Sequence, residues 1–148
     1  MAEKRVLVVE DDPTMLAFWD RLLAHLDIAQ RVLITSPLQA KNLLDRSSFD
    51  LLISDVIMPR MNGYELARYA RTHSPGIEIL LTTGYSTDLS HFDLKGLRMH
   101  LLHKPFLDLE GLATMLTHIL NGEDATLDAD DDSFSDNEDY PQVTEWKL

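Results

Sequence analysis

The sequence predicts an α/β fold, a doubly wound parallel sheet with helices on both of its faces. Short apolar segments alternate along the chain with segments whose apolar residues recur at helical spacing. The apolar segments are nearly continuous, which is typical of parallel strands that are buried on both faces. The chain of 148 residues is also long enough for one domain with its own core, since domains commonly contain about 100–150 residues.

Five strand–helix units account for residues 1–121. The predicted strands are the apolar segments Arg5–Val9, Arg31–Thr35, Leu51–Ser54, Ile77–Thr82 and Arg98–His103. The predicted helices are Pro13–Leu26, Pro37–Leu44, Tyr64–His73, Ser86–Leu94 and Phe106–Leu120. Pro13 and Pro37 stand at the first helical position, where a proline fits well. Gly76 and Gly122 follow the ends of two of these helices, as stop signals do.

The acidic side chains are concentrated in the last part of the sequence. The net charge is −12. Residues 1–121 contain 15 acidic and 12 basic side chains, whereas residues 122–148 contain ten acidic and one basic. A highly charged composition with few apolar residues is typical of disorder. We therefore predict one domain over residues 1–121 and an acidic tail over residues 122–148 that is disordered or loosely docked.

Several classes of protein do not fit this composition. No apolar stretch approaches 18 residues and no basic start precedes an apolar block, so we expect neither a membrane span nor a signal peptide. Without cysteine there is no disulfide, thiol nucleophile or Cys-ligated zinc. Without a basic stripe, direct binding to DNA is not expected, because phosphate neutralisation drives that binding. We expect a soluble, cytoplasmic protein.

Reactive side chains occur where four of the predicted strands end. Glu10 and Asp11 follow the first strand, Asp55 the third, Thr83 the fourth and Lys104 the fifth. Ligand sites in doubly wound sheets lie at the carboxyl ends of the strands, so these side chains should meet at one edge. Neighbouring carboxylates repel one another, and a hard divalent cation with oxygen ligands offsets that repulsion. The pattern therefore predicts a Mg²⁺ or Mn²⁺ site.

The same residues suit phosphoryl transfer. The transferred group spreads negative charge over three oxygens, each of which needs a positive partner. The metal would contact one oxygen, the Lys104 ammonium another, and the Thr83 hydroxyl with nearby backbone N–H groups the third. Asp55 would be the nucleophile that forms an aspartyl phosphate. Each residue alone has a structural explanation, such as a helix cap, and only their joint occurrence favours this function.

In these features the sequence resembles the receiver domain of bacterial two-component response regulators, from residue 4 to the end of the last predicted helix. The matching motifs are Glu10-Asp11, the turn from Asp55 through Met58-Pro59 to Asn62-Gly63, Thr83-Gly84 and Lys104-Pro105. Their joint occurrence is highly specific. The resemblance implies a flavodoxin-like sheet of five parallel strands in the order 2-1-3-4-5, and a stand-alone receiver followed by the acidic tail.

The resemblance also implies a set of metal ligands. Asp11 and Asp55 would bind the metal directly and Glu10 through a water molecule. The backbone carbonyl of Ile57 would be a further ligand. Asp12 lies one position beyond the acidic pair and is not expected to be a ligand.

By the same resemblance, the phosphoryl group would come from a histidine kinase or a histidine phosphotransfer protein. The chain would catalyse only its own phosphorylation and dephosphorylation, and would switch a surface for a downstream protein or a phosphorylation-dependent dimer. The usual switch aromatic lies three residues before the lysine, and Leu101 stands there in this sequence. Tyr85 or His100 would have to replace it, or the coupling would be weaker.

Two other functions stay open at this point. A haloacid-dehalogenase-like phosphatase also uses an Asp nucleophile, Mg²⁺, Thr and Lys, but its nucleophile motif would place Glu10 at the reactive position. A receiver-like module that binds partners without phosphorylation is the second alternative.

The acidic tail has two interpretations of equal weight. Several apolar or aromatic residues interrupt it, namely Phe134, Tyr140, Pro141, Val143, Trp146 and Leu148. Acidic and apolar residues in alternation can mark a docking segment. The tail therefore either docks on its own domain or a partner, or stays solvated.

Overall fold

The computed structural model describes residues 3–84, 97–122 and 142–148. The strands are β1 (Arg5–Val9), β2 (Gln30–Ile34), β3 (Leu51–Asp55), β4 (Glu78–Thr83), β5 (Arg98–His103) and β6 (Gln142–Trp146). The helices in these residues are α1 (Pro13–Ala24), α2 (Pro37–Arg46), α3 (Gly63–His73) and α4 (Leu109–Leu120). The helix predicted at 86–94 lies outside the described residues, so α4 corresponds to the last predicted helix.

The strands form one parallel sheet in the order β2-β1-β3-β4-β5-β6. The predicted α/β class and the order of the first five strands are therefore confirmed. The order reverses direction at β1, so that β1 lies between β2 and β3. At the carboxyl ends, Asp55 pairs with Thr82, and Thr83 pairs with His103. The register thus brings the ends of β3, β4 and β5 to the same edge.

The sheet is buried on both faces, as its nearly continuous apolar strands predict. Along β1, Leu7 and Val9 pack into one core with residues of α2 and α3. Val6 and Val8, which alternate with them, pack into a second core with residues of α1 and α4. Each of these four side chains contributes to one of two cores, since successive side chains of a strand point to opposite faces.

Polar side chains fix where the helices begin. Asp12 caps α1 by accepting a hydrogen bond from Thr14 N at 2.9 Å. Asp108 caps α4 by accepting from Gly111 N at 2.9 Å. The last helix therefore begins at Leu109 rather than at the predicted Phe106, because a cap residue satisfies the first free N–H groups of a helix.

The strand β6 lies within the predicted acidic tail and was not predicted. It pairs with β5 in parallel, from Arg98 opposite Gln142 to Leu102 opposite Trp146. The sheet therefore has six strands in the described residues instead of the five expected from the sequence. Residues 123–141 of the tail lie outside the described part of the chain, and the division into a domain and a tail stays a prediction.

Candidate functional site

Four of the five predicted reactive side chains lie close together at the carboxyl edge of the sheet. Carboxylate oxygens of Glu10, Asp11 and Asp55 lie within 4.8 Å of one another. The Lys104 ammonium lies 3.1 Å from Asp55 Oδ2 and 3.8 Å from Glu10 Oε2. The first two acids follow β1, Asp55 ends β3 and Lys104 follows β5. In the described residues, the site thus combines one ammonium group with three acidic groups.

The Asp55 carboxylate is held from two sides. Its Oδ1 accepts a hydrogen bond from the Ile57 N–H at 3.3 Å, and its Oδ2 accepts one from Lys104 at 3.1 Å. The Asp55 side chain is 16% exposed, so it is oriented by the protein and still open to solvent. The Ile57 side chain is exposed. The contribution of the Ile57 carbonyl to metal binding stays a prediction.

Glu10 is the buried member of the acidic group. Its side chain is almost inaccessible, and burial raises its pKa from the ordinary 4.5 to about 7. The Asp12 N–H and the Lys104 ammonium oppose this increase in pKa, whereas Asp55 and Asp11 add to it. The Asp12 N–H donates to Glu10 Oε1 at 3.1 Å. Glu10 Oε2 is buried and has no hydrogen-bond donor among the described residues.

These residues fit a divalent cation. Within the acidic group Asp11 is exposed, Asp55 is partly buried and Glu10 is buried. A buried carboxylate oxygen without a donor is unusual, because buried polar atoms are nearly always paired. A cation held through oxygen ligands would satisfy that atom and offset the repulsion among the acids. The side chain of Asp12 points to its own helix, where it caps α1.

Thr83 and Lys104 are joined through the backbone. Thr83 is buried at the end of β4, and its carbonyl oxygen accepts a hydrogen bond from Lys104 N at 2.8 Å. The Lys104-Pro105 peptide bond is cis. The ends of β4 and β5 therefore hold the predicted hydroxyl and ammonium groups on adjacent strands.

The turn after Asp55 contains two features that the sequence alone does not predict. A Cβ on Gly63 would lie 2.4 Å from the Asp55 carbonyl oxygen, so only glycine fits against the backbone there. The Gly63 N–H also donates to the Val56 carbonyl at 2.8 Å. Arg60 has a φ of 73°, in the left-handed region that favours glycine. The Asn62-Gly63 pair signals a turn, but it does not by itself predict the close approach to the Asp55 backbone.

The family of the chain follows from comparison with known proteins. A family model described as the response regulator receiver domain matches residues 6–117. The chain belongs to this family. It is therefore a receiver domain of two-component signalling, and its family is not that of the haloacid-dehalogenase-like phosphatases.

Individual relatives support the same assignment. The receiver is 32% identical over 111 residues to the response regulator receiver protein CpdR of Brucella abortus, covering 70% of this chain and 86% of that protein. It is 32% identical over 116 residues to the Regulator of RpoS of Escherichia coli K12, covering 76% of this chain but only 34% of that protein.

A solved structure shows the same fold. The response regulator receiver protein from Sinorhizobium medicae superposes with a TM-score of 0.70 at 20% identity, covering 82% of this chain and 97% of that one.

Within the described ranges, no helix of the receiver combines the length and the apolar character needed to cross a membrane.

Gly63→Ala should destabilise the receiver, because its new methyl group would overlap the Asp55 carbonyl oxygen and force the turn apart. We expect a loss of about 1–3 kcal/mol in the free energy of unfolding, measured by urea denaturation. Gly76→Ala is the matched control, since a Cβ there meets nothing within 4 Å. Equal stabilities of the two variants would contradict the close approach.

Without metal, Glu10→Gln should be more stable than wild type at pH 8. This difference in the free energy of unfolding should disappear towards pH 4. The folded receiver holds the Glu10 proton more tightly than the unfolded chain, so this group stabilises the fold below about pH 4.5 and loses that contribution as pH rises through about 7. We expect a gain of roughly 1–3 kcal/mol at pH 8. Urea denaturation in EDTA measures it.

The matched control for this titration is Glu110→Gln, at an exposed residue in the first turn of α4. Because the Glu110 side chain is exposed, this variant should change the free energy of unfolding at pH 8 much less than Glu10→Gln does. A Glu10→Gln difference that is independent of pH would contradict the raised pKa of Glu10.

Proposed function

We propose that this receiver accepts a phosphoryl group on Asp55 from a phosphohistidine, carried by a histidine kinase or a histidine phosphotransfer protein. The observation that carries the proposal is the contact between the Asp55 carboxylate and the Lys104 ammonium, 3.1 Å apart beside two further acids. A carboxylate nucleophile and a cation at this spacing are the groups that phosphoryl transfer to an aspartate requires.

In this reaction an oxygen of the Asp55 carboxylate attacks the phosphorus atom. The new P–O bond forms as the P–N bond to the donor imidazole breaks, and the imidazole leaves with the electron pair. Lys104 would exchange its contact with the carboxylate for one with a phosphoryl oxygen. The Thr83 hydroxyl would donate a hydrogen bond to another. These two side chains would thereby respond to the phosphorylation of Asp55.

Glu10, Asp11 and Asp55, with the Ile57 carbonyl, would hold Mg²⁺ or Mn²⁺. When bound, the cation would offset the negative charge of the carboxylates and of the phosphoryl group. The buried Glu10 Oε2, which has no donor in the described part of the chain, supports this assignment. Asp12 would stay outside the ligand set, since its carboxylate is engaged in capping α1.

The output would be a protein-interaction surface. The receiver would catalyse only its own phosphorylation and dephosphorylation, in the cytoplasm. A downstream protein or a second phosphorylated copy would recognise the switched surface, without direct binding to DNA. The even balance of charge over residues 1–121 supports this view, because DNA binding needs a strongly basic surface.

The wild-type receiver should gain one phosphoryl group when incubated with acetyl phosphate and Mg²⁺, whereas Asp55→Asn should gain none. Intact-protein mass spectrometry measures the adduct. Asp50→Asn is the matched control, because Asp50 directly precedes β3 at its other end and an Asn oxygen can still accept the hydrogen bond of Arg5 N. A wild-type protein without an Asp55-dependent adduct would favour a module that works without phosphorylation.

Asp11→Asn should weaken binding of Mn²⁺ on the order of tenfold, because it removes one of the charged oxygen ligands. Asp12→Asn should leave the affinity unchanged, since an Asn side chain still caps α1. Titration followed by electron paramagnetic resonance of free Mn²⁺ compares them. Equal losses in both variants would contradict the assignment of Asp11, rather than Asp12, to the metal.

A further inference from the structure

The edge of β5 is occupied by a segment of the receiver's own chain. Residues 142–146 form β6 and pair with β5 in parallel, with Val143 opposite Met99 and Trp146 opposite Leu102. In the described residues, β5 has β4 on its other side. Without β6, the outer N–H and C=O groups of β5 would be an unpaired sheet edge, which readily accepts another strand.

The pairing fits the side chains of β6 to both cores. Val143 packs against the core that contains Met99. Trp146 and Leu148 pack against the other core, which contains Leu102. A shift of one residue would turn each of these side chains to the opposite face, so the apolar pattern specifies one register.

Polar contacts fix the same register. The Trp146 indole N–H donates to His100 Nδ1 at 3.2 Å. The backbone oxygen of Leu148 accepts hydrogen bonds from the N–H groups of Leu107 and Asp108, each at 2.6 Å. These two donors directly precede α4, where a hydrogen-bond acceptor is favoured by the positive end of the helix dipole.

The composition of this segment differs from that of the acidic residues before it. Residues 123–141 contain nine of the ten acidic side chains found in residues 122–148. Residues 142–148 contain one acidic and one basic side chain, Glu145 and Lys147, and both are exposed. The apolar residues of the segment are partly buried instead. This segment is therefore suited to docking, whereas a solvated tail needs no such pattern.

We propose that the β5 edge is a binding groove for an extended segment, and that residues 142–148 are its intramolecular ligand, which withholds the groove from other proteins. A competing partner would add a parallel strand with an aliphatic residue and, three positions later, an aromatic one. Because residues 142–148 are tethered to the domain, they bind at a high effective concentration, and a partner must displace them to gain access.

The test uses a fluorescein-labelled peptide of residues 141–148 and the full chain. Trp146→Ala should bind the peptide about fivefold or more tightly than wild type, because its own segment no longer competes at high effective concentration. Lys147→Gln is the matched control in the same segment, with an exposed side chain, and should bind as weakly as wild type. Fluorescence anisotropy gives the dissociation constants.

Hydrogen exchange provides a second measurement. The β5 amides should exchange faster in Trp146→Ala than in wild type, and the unlabelled peptide should restore their protection. Circular dichroism checks that the variant is folded, and Val143→Thr replaces it if it is not.

Equal peptide affinity in wild type and variant, with unchanged exchange, would overturn the proposal. A wild-type dimer that exposes the β5 amides on dilution would also overturn it, by assigning the groove to a second copy. Neither metal nor phosphoryl donor is needed, so this test is independent of phosphorylation.

Discussion

Repulsion among carboxylates is the constraint on which the carboxyl edge of this sheet depends. The parallel sheet ends β1 and β3 at the same edge and thereby forces three acidic groups within 4.8 Å of one another. The Lys104 ammonium offsets part of this charge from the end of β5. Burial raises the pKa of Glu10 to about 7, which favours a proton there over a further negative charge. A divalent cation would offset the same repulsion.

The fold supplies the free energy that holds these groups together. Both faces of the sheet are covered, so the strand ends are fixed by packing far from the charges themselves. Gly63 closes the turn after Asp55 directly onto the backbone of that residue. The site is preorganised in this sense: its charges are brought together during folding, and a phosphoryl donor would find them already in place.

Much of this architecture was predictable from the sequence. The strand–helix alternation predicted the sheet. The position of Asp55 at a strand end predicted its place at the carboxyl edge of that sheet. The raised pKa of Glu10 could not be predicted, because the burial that causes it depends on packing between distant segments. β6 was missed for a related reason: its short apolar pattern follows an acidic run, and its partner β5 lies some forty residues earlier in the chain.

β5 is adjacent both to the lysine of the acidic site and to β6. Lys104 follows the last residue of β5, and the outer edge of β5 carries β6. Lys147 and Leu148, which follow β6, line the same pocket as Gly84 and Lys104. Leu101, at the position of the usual switch aromatic, is completely buried and pairs with Glu145 of β6. A displacement of Lys104 and a release of β6 would therefore act on one strand. If one changes the equilibrium of the other, thermodynamic linkage requires the reverse effect to be equally large.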